Sequence, residues 1–211
     1  MRIFSHTEAG HEHVNEDVVR IETHLRDEDS WLCALADGQG GQRGGGEAAR
    51  IAVDTTIEKA QNYAPQKLTK GKLWPQVIGT ADDAVATDKS AGYTTLIALC
   101  VSDKKVCGAS CGDSAVLLFN NGTISILTEH QRKNPPVGSS ASQPIAFEAK
   151  LSPSWKLLIM SDGVWKFAGW DTIHDQCREF DGTELIVKLR TLAAGHNNKL
   201  PDDFTIALFE A

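Results

Sequence analysis

Between Thr94 and Thr128 the chain reads TTLIALCVSDKKVCGASCGDSAVLLFNNGTISILT, a string of short apolar runs broken by turn signals at Ser102 to Lys105 and at Asn120-Asn121-Gly122. Turns this short join antiparallel neighbours, because a parallel crossover needs a dozen residues or more. Further strands are read in AFEAKLS (146–152) and WKLLIMSDG (155–163), and earlier in DVVRIETHL (17–25) and WLCALAD (31–37). The last two form a predicted hairpin through the polar turn at Arg26 to Ser30. No regular β-α-β alternation runs through the chain.

The period changes to helical at Gly46. Ala48, Ile51, Ala52 and Thr55 share one face of a segment reaching Tyr63, before Pro65. A second helix carries Pro75 in its first turn, with Val77, Ala81, Ala84 and Val85 inward. Near the C-terminus a short helix is expected over Trp170 to Cys177. A longer one runs from an N-cap at Thr183 to Ala194, with Gly195 as C-cap, before a final strand FTIALFE. Strands in runs and helices in pairs predict an α+β fold, a sheet core with helices outside, in one domain over residues 1–211. The stretch from His130 to Pro144, rich in Ser, Pro, Gln and Asn, is expected to be a mobile surface loop.

A formal charge of -7 argues against a sequence-independent grip on nucleic acid or anionic lipid, since both need a basic surface. Expected partners are protein or small molecule, with no nucleic acid and no membrane. No apolar run approaches the roughly 20 residues of a membrane span, and MRIFSHTEAG lacks the order of a signal peptide. A cytoplasmic monomer is expected. Five cysteines, Cys33, Cys100, Cys107, Cys111 and Cys177, lack a second pair to complete a zinc site, and buried thiols are expected.

Acidic residues gather at strand ends. Asp37 ends WLCALA, Asp162 follows KLLIMS, Asp113 follows VCGASCG, Asp202 precedes the final strand, and Glu16 and Asp17 open another. Half-burying such charges is costly unless a cation or hydrogen bonds compensate, so their convergence at one rim would suit a hard divalent metal. Taken singly, each fits a turn former better than a ligand, since Asp-Gly is a favoured turn dipeptide and recurs at Asp37, Asp162 and Asp181. Their order says more. NED (15–17), DGQGG (37–41), GYTTL (92–96), GDS (112–114), SDG (161–163) and DDFT (202–205) together resemble the metal-dependent serine/threonine protein phosphatases, the PPM or type 2C family, in compact bacterial form.

That resemblance implies a four-layer α-β-β-α sandwich of two antiparallel sheets, with a two-metal centre at one rim. It implies that Asp37 bridges two Mn2+ or Mg2+ ions, Gly38 lends its carbonyl to one, and Asp162 and Asp202 hold the other. Glu16 and Asp17 would bind through waters, and Asp113 with Asp162 would hold a looser third ion. Oxygen-only ligands suit Mg2+ or Mn2+ better than zinc. The implied chemistry is in-line attack of a metal-activated water on a phosphoserine or phosphothreonine, with no covalent intermediate. The implied partners are a phosphoprotein substrate and its cognate Ser/Thr kinase.

Rival motifs are weaker. No cysteine opens a C-x5-R phosphate loop, which disfavours a cysteine phosphatase. Gly44, Gly46 and Ala49 spell G-x-G-x-x-A, but Asp37 and six further residues separate them from the strand, unlike a dinucleotide site. His11 and His13 form H-x-H, read as solvated. Three positions depart from the family pattern. Glu12 stands where relatives carry a phosphate-binding arginine, with Arg43 as a possible substitute; Ala115 replaces an arginine; and Asp203 replaces an asparagine beside the metals. The alternative they raise is a weakly active or inactive relative that binds phosphoprotein as a regulatory module.

Overall fold

A computed structural model of the chain describes residues 1–11, 14–41 and 43–211. Strand β1 (Arg2–Glu8) is followed by β2 (Asp17–His24), β3 (Asp27–Asp37) and helix α1 (Gly45–Gln61). Next come α2 (Pro65–Leu68), α3 (Trp74–Thr87), β4 (Leu96–Ser102), β5 (Lys105–Cys111), β6 (Ala115–Asn120) and β7 (Thr123–Ile126). The chain closes with β8 (Ile145–Lys150), β9 (Trp155–Met160), α4 (Asp162–Ala168), α5 (Trp170–Glu179), α6 (Gly182–Ala194) and β10 (Phe204–Glu210).

The strands form two five-stranded antiparallel sheets, ordered β1-β10-β9-β6-β7 and β2-β3-β4-β5-β8. Alternation along each central strand divides its side chains between two apolar layers. On β3, Cys33 and Leu35 meet Val116, Leu157 and Phe209 between the sheets, whereas Leu32, Ala34 and Ala36 face α1 and α3. On β10, Ala207 and Phe209 point to the inter-sheet layer, and Phe204, Ile206 and Leu208 pack under α4 and α6. Burial on both faces explains why these strands read as unbroken apolar runs. The layers are therefore α-β-β-α, as the resemblance implied.

Differences from the sequence-based expectation lie at edges and caps. β1 was not foreseen: it is an edge strand of mostly polar residues that buries only Ile3 and Phe4 against the two apolar layers. The hairpin turn is tighter than expected, because β3 already begins at Asp27. Helix α6 starts at Gly182, with Asp181 rather than Thr183 in the N-cap position. Residues 130–144 are tied down rather than loose. Val137 is fully buried and pairs with Thr94, and the buried Asp82 of α3 accepts the N–H groups of Gly138, Ser140 and Ser142 at 2.6, 3.1 and 3.1 Å. Among the described residues no helix is long and apolar enough to cross a membrane.

Helix α4 was also missed, since Asp162-Gly163 reads as a turn. Here Gly163 lies against the neighbouring chain: a Cβ on it would sit 1.9 Å from the Asp203 carbonyl oxygen. Gly163→Ala should destabilise the fold by about 1–3 kcal/mol, the scale of core overpacking. A urea midpoint equal to that of the unaltered protein would show that the two segments can part freely.

Candidate active site

The site is assembled where both sheets end. Asp17 and Asp37 are register partners across β2 and β3, so two carboxylates stand side by side. The backbone of Asp37 is clamped: its N–H donates to Thr95 Oγ1 at 3.0 Å, and its carbonyl accepts from Thr94 Oγ1 and the Thr95 N–H at 2.8 and 2.9 Å. Thr95 Oγ1 in turn lies 2.8 Å from Ser114 Oγ, which ties the GYTTL and GDS motifs together. At Gly38 the chain squeezes between β2 and α1, where a Cβ would come 2.4 Å from the Gly45 carbonyl carbon and 2.9 Å from the Glu16 carbonyl oxygen. Glu16 Oε1 accepts the Gly46 N–H at 3.2 Å, setting a negative charge at the N-terminus of α1.

From the other sheet, Asp162 opens α4 and Asp202 precedes β10. The adjacent Asp203 is a buried staple: its Oδ1 and Oδ2 accept the N–H groups of Gly10 and Glu16 at 2.8 and 2.7 Å. An asparagine has only one carbonyl oxygen to accept with, so the carboxylate here holds two points of the segment that carries Glu16 and Asp17.

A cleft of about 580 Å3 opens between these elements, lined by Glu16, Asp37, Gly38, Asp113, Asp162, Asp202 and Asp203, with Lys133 and Lys166 on one wall. Its charges conflict. Burial, reinforced by repulsion from Asp17, Asp162, Asp113 and Asp202, pushes the Asp37 carboxyl up from 3.8 to about 9. Burial raises Asp17 to about 7, with Asp203 and Asp162 adding to the rise. The Ser161 and Thr205 hydroxyls oppose it without reaching hydrogen-bond geometry: among the described residues neither oxygen of Asp17 has a partner. Asp113 and Asp162 are better compensated. Lys133 Nζ lies 2.9 Å from Asp113 Oδ2, and Lys166 Nζ contacts Asp162 Oδ2 and lies 3.6 Å from Asp113 Oδ2. Burial alone would lower the Lys166 pKa, but these carboxylates raise it.

The donors fit a divalent ion in kind: clustered carboxylates, of which Asp17 and Asp37 have raised pKa values, and the orphaned pair of oxygens on buried Asp17. Among the described residues no three such side chains are already drawn together as a finished cage.

A family model described as protein phosphatase 2C matches residues 5–183. The chain belongs to the protein phosphatase 2C family. Comparison with curated proteins finds no match. Among solved structures, this type 2C chain is similar to the serine/threonine phosphatase Stp1 from Staphylococcus aureus, with a TM-score of 0.82 and 21% identity, covering 99% of this chain and 94% of that one. The catalytic domain of the serine/threonine protein phosphatase PstP in complex with 2 manganese ions gives 0.78 and 20%, covering 98% and 96%. RsbX in complex with magnesium gives 0.75 and 14%, covering 99% and 94%. At such identities these likenesses bear on the fold.

Within the type 2C chain, Glu16, Asp37, Gly38, Asp113, Asp162 and Asp202 line one cleft, and Asp17 is buried beside Asp37. Arg43 is exposed in the turn before α1 and is not among the cleft-lining residues. Its main-chain carbonyl lies against Gly92, and Gly44, with φ of 90°, turns the chain into the helix. Glu12 and His13 lie outside the described residues. All five cysteines are free and buried, as expected, and burial pushes the thiols of Cys33, Cys100 and Cys177 up to about 12, far from a nucleophilic thiolate. Lys166 was not foreseen as part of the site. It stands four residues after Asp162, so recognising SDG as a helix start would have set both on one face.

Proposed function

We propose that this type 2C phosphatase hydrolyses phosphoserine and phosphothreonine in proteins with Mn2+ or Mg2+ held at the acidic cleft. The observation that carries the proposal is the side-by-side pair at the cleft, Asp17 buried and Asp37 half-buried, both with raised pKa values and, for Asp17, two oxygens lacking a partner among the described residues. Asp37 and the Gly38 carbonyl, with Asp162 and Asp202, would hold the ions, and Glu16 and Asp17 would support them through waters. When bound, such ions supply an activated water for in-line attack on phosphorus and offset charge on the phosphoryl oxygens. Manganese and magnesium in the PstP and RsbX structures agree with that choice.

The chain's own residues do the rest. Thr94 and Thr95 fix the Asp37 backbone, and Asp203 fixes the Glu16 segment, so the ligands sit on clamped strand ends rather than on free loops. Lys133 and Lys166 supply positive charge on the wall that a phosphate dianion would approach. Their pairing with Asp113 and Asp162 also favours a second reading, in which the cleft binds a phosphoprotein without turning it over.

Phosphate release from a phosphothreonine peptide and from an aryl phosphate, with Mn2+, Mg2+ or chelator, separates the two. Turnover is expected with either ion, greater with Mn2+, and none with chelator. Peptide binding without release under saturating Mn2+ would establish the non-enzymatic module.

A further inference from the structure

Asp113 and Asp162 are the two carboxylates to which the family resemblance gives a looser third ion, yet in this chain a side-chain cation already joins them. Lys166 Nζ contacts Asp162 Oδ2 and lies 3.6 Å from Asp113 Oδ2. The contact is built into the fold. Lys166 and Asp162 are four residues apart on α4, hence on one helix face. The next residue back, Trp165, donates its indole N–H to the Asp113 carbonyl at 3.0 Å and stacks on Trp170 with ring centroids 5.4 Å apart. The helix that carries the ammonium is therefore fastened to the residue whose carboxylate it faces. Lys166 Nζ also lies 5.6 Å from the centroid of the Trp165 ring, which favours a cation there. Lys133 reaches Asp113 as well, from a side chain 61% exposed against 37% for Lys166, but it makes no contact with Asp162.

We propose that Lys166 is a resident cation standing in for a third metal ion, so that this phosphatase binds two divalent ions and excludes another from the Asp113–Asp162 position. A divalent ion sharing those two carboxylates would come against the ammonium, and like charges at that range repel strongly. The exclusion is the work of one side chain, and it rests on the two-ion reading of the cleft given above.

Counting Mn2+ bound at saturation, by calorimetry and by the loss of free-ion paramagnetic resonance signal, tests this without reference to turnover. The unaltered protein should bind two ions, Lys166→Met three, and Lys166→Met combined with Asp113→Asn two again. Lys166→Arg, which keeps the charge, should stay at two. Three ions on the unaltered protein would overturn the inference while leaving the two-ion centre standing, and so would two ions on Lys166→Met. A third ion admitted by Lys133→Ala alone would move the role to Lys133 and overturn the assignment. Should Lys166→Met fail to fold, as judged by thermal melting, Lys166→Gln takes its place in the count with the same expected third ion, and two ions on it would overturn the inference. No bound Mn2+ at all would remove the two-ion reading itself, a result distinct from any of these.

Discussion

Asp37→Asn should lose phosphopeptide turnover by at least about 10²-fold, the scale of losing one group that stabilises transition-state charge, while making the metal-free protein more stable. Both effects come from one carboxylate. Asp37 is held among Asp17, Asp113, Asp162 and Asp202, and burial with their repulsion raises its pKa from 3.8 to about 9. The folded metal-free chain therefore binds this proton more tightly than the unfolded chain. The sign follows: stability contributed by the protonated group is full below the unfolded value and declines as pH rises towards about 9. An asparagine has no proton to lose, so that decline should flatten. Thermal melts of chelated protein at about pH 5 and about pH 8 check it. The unaltered chain should melt lower at the higher pH, and Asp37→Asn should melt above it there. A lower melting temperature for Asp37→Asn at the higher pH would mean that the carboxylate is held by hydrogen bonds rather than strained by its neighbours. Stability set aside for an ion site is a familiar trade at active sites.

Asp82→Ala should be the most damaging change away from the cleft, costing about 3 kcal/mol or more. The buried Asp82 carboxylate accepts three backbone N–H groups of the segment from Gly138 to Ser142, and a bond to a charged group is worth roughly 1.5–3 kcal/mol, with losses that do not add fully. That segment continues from Lys133, Asn134 and Pro136, which form one wall of the cleft, so turnover should fall along with stability. Asp82→Asn, with a single acceptor oxygen, should fall between. Urea unfolding with an unchanged m-value and a lowered midpoint is the expected signature. A loss below about 1 kcal/mol would mean that other contacts hold the segment.

The contrast between Asp82 and the strands shows what a single sequence can reveal here. Strands such as β3 and β10 are apolar on both faces because sheet packs on one side and helix on the other, and that burial is written directly into WLCALAD and FTIALFE. The four layers followed from the family resemblance rather than from the pattern alone. β1 escaped notice because an edge strand needs few apolar residues, and α4 because seven residues opening on Asp-Gly carry too little helical period. Contacts distant in sequence leave no local trace: the loop at 130–144 looked mobile from its Ser, Pro and Asn, yet its restraint comes from Asp82, more than fifty residues away. Asp203 was legible as added charge, but its use as a two-point acceptor for Gly10 and Glu16 emerges only when both ends of the chain meet. The acidic positions were legible as an ordered set, and they do line or adjoin one cleft. Arg43 is legible from its charge and its place in the loop after DGQGG, where flanking glycines favour a solvated side chain, and it lies exposed outside the cleft lining.

Anomalous diffraction from crystals grown with Mn2+ tests the proposed centre most directly. Two manganese peaks are expected at the cleft, both within bonding distance of Asp37. Crystals that diffract well in saturating Mn2+ yet carry no peak within bonding distance of Asp37 would contradict a two-ion phosphatase centre in this chain.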